Sequence, residues 1–74
     1  MQNLLEFVVK SIVKNKEDVK IEEKVDGRTK IFYVHVNSAD MGGVIGKGGN
    51  TANAIRTLMK SVNSRERVII KFDN

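Results

Sequence analysis

The stretch Asp40-Met41-Gly42-Gly43-Val44-Ile45-Gly46-Lys47-Gly48-Gly49-Asn50 decides how this chain folds. Five of the eight residues from 42 to 49 are glycine, where a plain turn needs one. A short helix is expected over 41–45, with Asp40 as its N-cap and Ser38 as the competing cap. The glycines then interrupt it. A second helix is expected from near Asn50 to about Arg65, because Ile55, Leu58, Met59 and Val62 recur at i, i+3, i+4 and i+7. Ala52 and Ala54 would assist close packing, while Arg56 and Lys60 share the opposite face. A glycine loop that feeds a helix N-terminus suits a phosphate. Glycine lets a ligand approach the backbone, and the first helical amides have no intrahelical partner and carry the positive end of the dipole. Lys47 adds a formal charge at the loop tip.

Two other glycine motifs fail. The phosphate loop G-x-x-x-x-G-K-[ST] would need glycine at position 41, which is Met41, and Ser or Thr at position 48, which is Gly48. The dinucleotide fingerprint G-x-G-x-x-G meets Thr51 where its third glycine belongs.

Upstream of the loop lies a hairpin. Val19, Ile21 and Val25 alternate with Lys20, Glu22 and Lys24 at strand period, and residues 29–37 form the second strand. Asp26-Gly27 is the expected two-residue turn. That register sets Val25 opposite Arg28, Ile21 opposite Phe32, Lys20 opposite Tyr33 and Glu23 opposite Lys30. Val19, Ile21, Phe32, Val34 and Val36 then share the core face, and a one-residue slip would break the match. Tyr33, Ile31 and His35 fall on the outer face. Residues 2–15 read as a helix whose apolar face is Leu4, Leu5, Val8, Val9, Ile12 and Val13. Phe7 falls outside that stripe; it is expected to fold over the edge of the core, with a partner surface as the alternative. The chain closes on a strand over 67–73, with Val68, Ile70 and Phe72 on one side. The expected order is α-β-β-α-α-β: an α+β fold with three helices on one face of a three-stranded mixed sheet.

Length and charge bound the function. Seventy-four residues make one small domain, residues 1–74. The chain carries 13 Lys and Arg against 9 Asp and Glu, a net charge of +4. Residues 1–40 balance and so do residues 66–74. The excess is Lys47, Arg56, Lys60 and Arg65, in a stretch without an acid. Such a local field favours a polyanion partner, with a solvated basic face as the plainer alternative. No apolar run reaches the ~18 residues that span a membrane, and no signal-peptide pattern is present. The chain has no cysteine, which fits a reducing cytoplasm. His35 is its only histidine, and the only acid expected near it is Asp18, across the hairpin. A nucleophile with a positioned base needs at least two convergent groups, so an enzyme is a poor reading. No metal or other cofactor is expected.

The stretch from Asp40 to Gly49, followed by Ala52 and Ala54-Ile55-Arg56, resembles the K-homology (KH) RNA-binding domain. The element order resembles its bacterial type II form and, within that, the small stand-alone KhpA-like family. The resemblance spans essentially the whole chain, and its specific part is residues 40–56. It implies a non-catalytic protein in which the G-x-x-G loop, Gly46, Lys47, Gly48 and Gly49, holds the phosphates of single-stranded RNA. Ile45 and Val44 would form one wall of a groove for the bases, and apolar residues of the second strand such as Val36 the other. Asn50 would sit beside the phosphates. Arg56 would reach the RNA backbone or remain a solvated helix charge. Family members often carry basic residues at the positions of Gly43 and Asn50. The resemblance further implies an RNA chaperone or post-transcriptional regulator in the cytoplasm, linked in some bacteria to cell elongation or division. It also implies a homodimer or pairing with a larger KhpB-type protein. An assembly subunit is the alternative reading, with Phe7 and exposed positions of the long helix as contacts.

Overall fold

The computed structural model describes residues 2–63 and 65–74. The elements are α1 (Gln2–Ile12), β1 (Lys20–Asp26), β2 (Thr29–His35), α2 (Met41–Ile45), α3 (Asn50–Ser61) and β3 (Arg67–Asp73). Single 3₁₀ turns lie at Lys16–Asp18, Ser38–Asp40 and Lys47–Gly49. The sheet order is β1-β2-β3, with β1 antiparallel and β3 parallel to β2. Parallel neighbours cannot be joined by a tight hairpin, so the chain between β2 and β3 must cross over, and α2 and α3 make that crossover. Leu5 and Val9 of α1, Val44 of α2 and Ile55 and Met59 of α3 pack against Phe32, Val34, Val68 and Ile70 of the sheet in one core. The alternate sheet positions face away from the helices. The α+β order and mixed sheet are those expected from the sequence.

The hairpin turns one residue later than expected. Asp26 pairs with Thr29, so the loop is Gly27-Arg28. Gly27 takes φ +62° at the first central position, as a type II′ turn requires. Each residue's partner therefore shifts by two. That shift is even, so every side chain keeps its expected face: Ile21 now opposes Val34, Glu22 opposes Tyr33 and Lys20 opposes His35. The Lys30–Glu23 pair survives diagonally at 3.8 Å, and Lys30 Nζ also lies 3.4 Å from Glu66.

Both long helices are shorter than their periodicity suggests. The first stops at Ile12 rather than near residue 15. The cause is Asp40, whose carboxylate accepts the N–H groups of Lys14 and Asn15 and draws them out of the helix. The ammonium of Lys16 satisfies the Val13 carbonyl at 3.0 Å. The helix α3 stops at Ser61 rather than near Arg65. There the Val62 N–H donates to the Leu58 and Lys60 carbonyls and tightens the last turn. Position 64, inside the expected helix, lies outside the described residues.

The buried face of α3 is also narrower than expected. Ala52, Ile55 and Met59 are enclosed, whereas Leu58 and Val62 are 39% and 54% exposed and Ala54 faces solvent. Phe7 does not fold over the core edge; it is 71% exposed.

Candidate nucleic-acid interface

The glycine loop owes its shape to residues that no other side chain could replace without strain. Gly46 ends α2 at φ 76°, ψ 171°, a region that only glycine enters freely. A Cβ there would also collide with Thr51, including its backbone N at 2.8 Å. Gly48 and Gly49 both hold left-handed φ, so three of the four residues from Gly46 to Gly49 have positive φ. The N–H of Gly46 donates to the Gly42 carbonyl at 2.9 Å, and that of Gly49 to Gly46 at 3.1 Å. The N–H of Asn50 donates to Lys47. Among the described residues nothing accepts the N–H of Lys47 or of Gly48, and both residues are exposed. Gly49 is the N-cap of α3, and no side chain caps that helix. Lys47 makes no ion pair among the described residues. Successive free backbone N–H groups at a left-handed turn form a concavity for an anion, with the positive end of α3 behind it.

The family model "KhpA/KhpB, KH domain" matches residues 2–73. An RNA-binding protein KhpA of Chlamydia pneumoniae is 38% identical over 73 residues, covering 99% of this chain and 94% of the relative. The RNA-binding protein KhpA of Mycobacterium leprae is 41% identical over 61 residues, covering 82% and 76%. The chain belongs to the KhpA/KhpB KH-domain family. No solved structure matches it. The α-β-β-α-α-β order with its mixed sheet is thus that of a KH domain.

The KH domain distributes the expected site residues unevenly. Gly46, Lys47, Gly48, Gly49 and Asn50 stand together on one turn, with Lys47, Gly48 and Asn50 exposed. Ile45 is partly buried and packs against the core. Val44 is fully enclosed in the core, so it offers no groove surface. Val36, expected on the opposite wall, is also fully enclosed. The strand that borders α3 is β3, and Arg56 marks the border. Its Nε and Nη2 both donate to the Ile70 carbonyl at 3.3 Å, its Nη1 donates to Asn53 Oδ1 at 3.2 Å, and its guanidinium lies 5.5 Å from the centre of the Phe72 ring. Arg56 is therefore neither a freely solvated charge nor a cation aimed at the glycine loop; it joins α3 to the free edge of β3. Asn53 sits one turn after Gly49 and links the loop's helix to that edge.

The sequence pattern assigned Asp40 a different role and gave none to Asn37 or Asp73. Asp40 does not cap α2; its carboxylate accepts Lys14 N–H and Asn15 N–H at 3.0 Å and Asn15 Nδ2 at 3.1 Å. Asn37 caps the preceding 3₁₀ turn Ser38–Asp40: its Oδ1 accepts the Ala39 N–H at 2.8 Å while its Nδ2 donates to Asp18 at 3.0 Å. Asparagine immediately before a helical turn was a readable signal for that cap. The partner of His35 is Asp73 at 2.8 Å, not Asp18, because the parallel register places those residues side by side. Among the described residues no three His, Asp or Glu come together to hold a metal ion. None of the described helices is long and apolar enough to cross a membrane.

Proposed function

We propose that this chain is a non-catalytic protein that binds single-stranded RNA, with the Gly46–Gly49 turn gripping the phosphate backbone. The observation that carries the reading is the pair of exposed, unaccepted N–H groups at Lys47 and Gly48, set before an uncapped helix. Its relatives carry the name RNA-binding protein. Lys47 supplies the charge, Asn50 sits at the first helical position and Ile45 borders the turn. A single strand suits the site because its backbone enters a tight turn that a duplex cannot follow, and its bases can splay outward. A weak, sequence-tolerant grip of this kind fits an RNA chaperone or post-transcriptional regulator in the cytoplasm.

The test is to replace Lys47 and Gly48 with aspartate. Each like-charge contact with phosphate at ~4 Å costs about 1 kcal/mol in water and about 4 at an effective dielectric of 20. Two such contacts and the lost lysine should weaken RNA binding at least ~100-fold. Nothing lies within 4 Å of a Cβ at Gly48, so the cost to the fold there is the left-handed φ alone, of order 1–2 kcal/mol. Lys47→Asp by itself carries no such cost. Folded Lys47→Asp protein that binds RNA as wild type does would refute the loop as the site.

A second reading is favoured by a different feature. Between α1 and α3 runs a largely apolar groove of about 200 Å³ lined by Val8, Ile12, Thr51, Ala54, Ile55 and Leu58. This surface suits self-association or pairing with a KhpB-type protein, and two joined copies would present two weak RNA sites at high effective concentration. Leu58→Lys should abolish any dimer seen by light scattering and leave the melting temperature of the monomer nearly unchanged.

A further inference from the structure

The sheet has a second face that the glycine loop does not use. On it the central strand presents Ile31, Tyr33 and His35, with no helix over them. The register sets Glu22 and Lys71 on either side of Tyr33, Lys24 and Ile69 on either side of Ile31, and Lys20 and Asp73 on either side of His35. The ammonium of Lys24 lies 5.3 Å from the centre of the Tyr33 ring and that of Lys71 lies 6.0 Å from it. Lys20, Lys24 and Lys71 form no ion pair among the described residues. Asp73 is hydrogen-bonded to His35, so three ammonium groups stand against the two carboxylates of Glu22 and Asp73 on this face. A cleft of about 490 Å³ opens here, lined by Lys20, Glu22, Lys24, Tyr33, His35 and Asp73.

We infer that this outer face is a second contact for single-stranded RNA, on which Tyr33 stacks a base and Lys20, Lys24 and Lys71 hold the flanking phosphates. Three observations choose this occupant. An aromatic ring on an open sheet, with isoleucines beside it, is a platform for a base's flat face, and a stacking base would release the two ammonium groups held over that ring to the backbone that passes it on either side. The cleft has the volume of a small-ligand site and so has room for one nucleotide. The composition opposes a protein partner, because the cores of protein interfaces are depleted in Lys, Glu and Asp, and these residues make up most of this lining. An acidic peptide would in addition meet the unpaired carboxylate of Glu22. For a base and ribose the same carboxylates are useful, since they accept from exocyclic amino groups and hydroxyls.

The choice of RNA rests on the reading of the glycine loop, but the two surfaces can be tested apart. Tyr33 and His35 are the only tyrosine and the only histidine of the chain, so their ring protons are assigned in a proton NMR spectrum without further labelling. The glycine amides of the loop report the other site. On titration with a single-stranded oligoadenylate, the Tyr33 ring protons should move upfield and those of His35 should shift with them. The Lys47→Asp variant should retain both shifts. Tyr33→Leu keeps a strand-forming side chain and removes the ring, and it should weaken RNA binding by about 5- to 150-fold, as expected for one lost stacking contact. Lys24→Gln with Lys71→Gln keeps the ring and should make binding less dependent on salt. Rings that stay still while the loop amides move would overturn the proposal and leave the loop site standing. Rings that move while the loop amides stay still would support the sheet face and refute the loop. If neither moves, both fall.

Discussion

Asp40 and Asn15 are 25 residues apart in sequence, yet the carboxylate of Asp40 accepts both the backbone N–H and the side-chain amide of Asn15, at 3.0 and 3.1 Å. The contact ends α1 and anchors the residue that precedes α2, and α2 leads directly into the glycine turn. A single buried carboxylate thereby ties the N-terminal helix to the element that carries the candidate site.

This contact predicts an acid-dependent loss of stability. The N–H of Lys14 first, and that of Asn15 second, hold the Asp40 carboxyl below its ordinary value of 3.8. A depressed carboxyl contributes stability that is complete above the unfolded value and is lost as pH falls through the folded one. The melting temperature should therefore fall as pH drops below about 4, and Asp40→Asn should reduce that dependence. At neutral pH the variant should melt lower than wild type and exchange the Lys14 and Asn15 amide protons faster. A wild-type pH profile that Asp40→Asn leaves unchanged would refute the assignment.

Glycine substitutions should separate sharply by position. Gly42 and Gly43 lie within α2, and a Cβ at either meets nothing within 4 Å. Alanine at each should stabilise the protein by roughly 0.5–1 kcal/mol in a denaturant melt. Gly46→Ala should do the opposite and cost well over the ~1–2 kcal/mol of left-handed strain, because its Cβ also meets the Thr51 backbone. Equal melting of these three variants would contradict the loop geometry.

Gly43 offers a gain of function. It is exposed three residues before Gly46. Gly43→Lys adds a cation near the turn and should tighten RNA binding several-fold at low salt, with the gain fading as ionic strength rises. A titration at two salt concentrations measures this directly.

Salt dependence tests the backbone grip itself. If two to four phosphates are neutralised, log K should fall against log[salt] with a slope of about −1.4 to −2.8 for a single strand. A flat dependence with intact binding would contradict a phosphate grip.

Arg56 should matter to the fold. Arg56→Ala removes both donors to the Ile70 carbonyl and the stack on Phe72, so it should cost about 1–3 kcal/mol of stability. A surface charge without partners would cost almost nothing on substitution, so a denaturant melt distinguishes the two cases.

Local pattern in the amino-acid sequence was enough to determine the order of elements, the sheet faces and the glycine turn. Strand alternation and helical spacing are properties of neighbouring residues, and a left-handed backbone demands glycine wherever it occurs. Even the misplaced hairpin turn left every face correct, because the error was an even number of residues. Helix ends and polar partnerships were decided only by tertiary structure. Ile12 ends α1 because Asp40, far along the chain, takes the next two free amides. Arg56 turns toward the sheet because the Ile70 carbonyl accepts two of its N–H groups, and Val44 and Val36 vanish into a core that closes over them. A hydrogen bond between residues 14 to 38 positions apart leaves no periodic trace in sequence, since its partners meet only once the layers have packed.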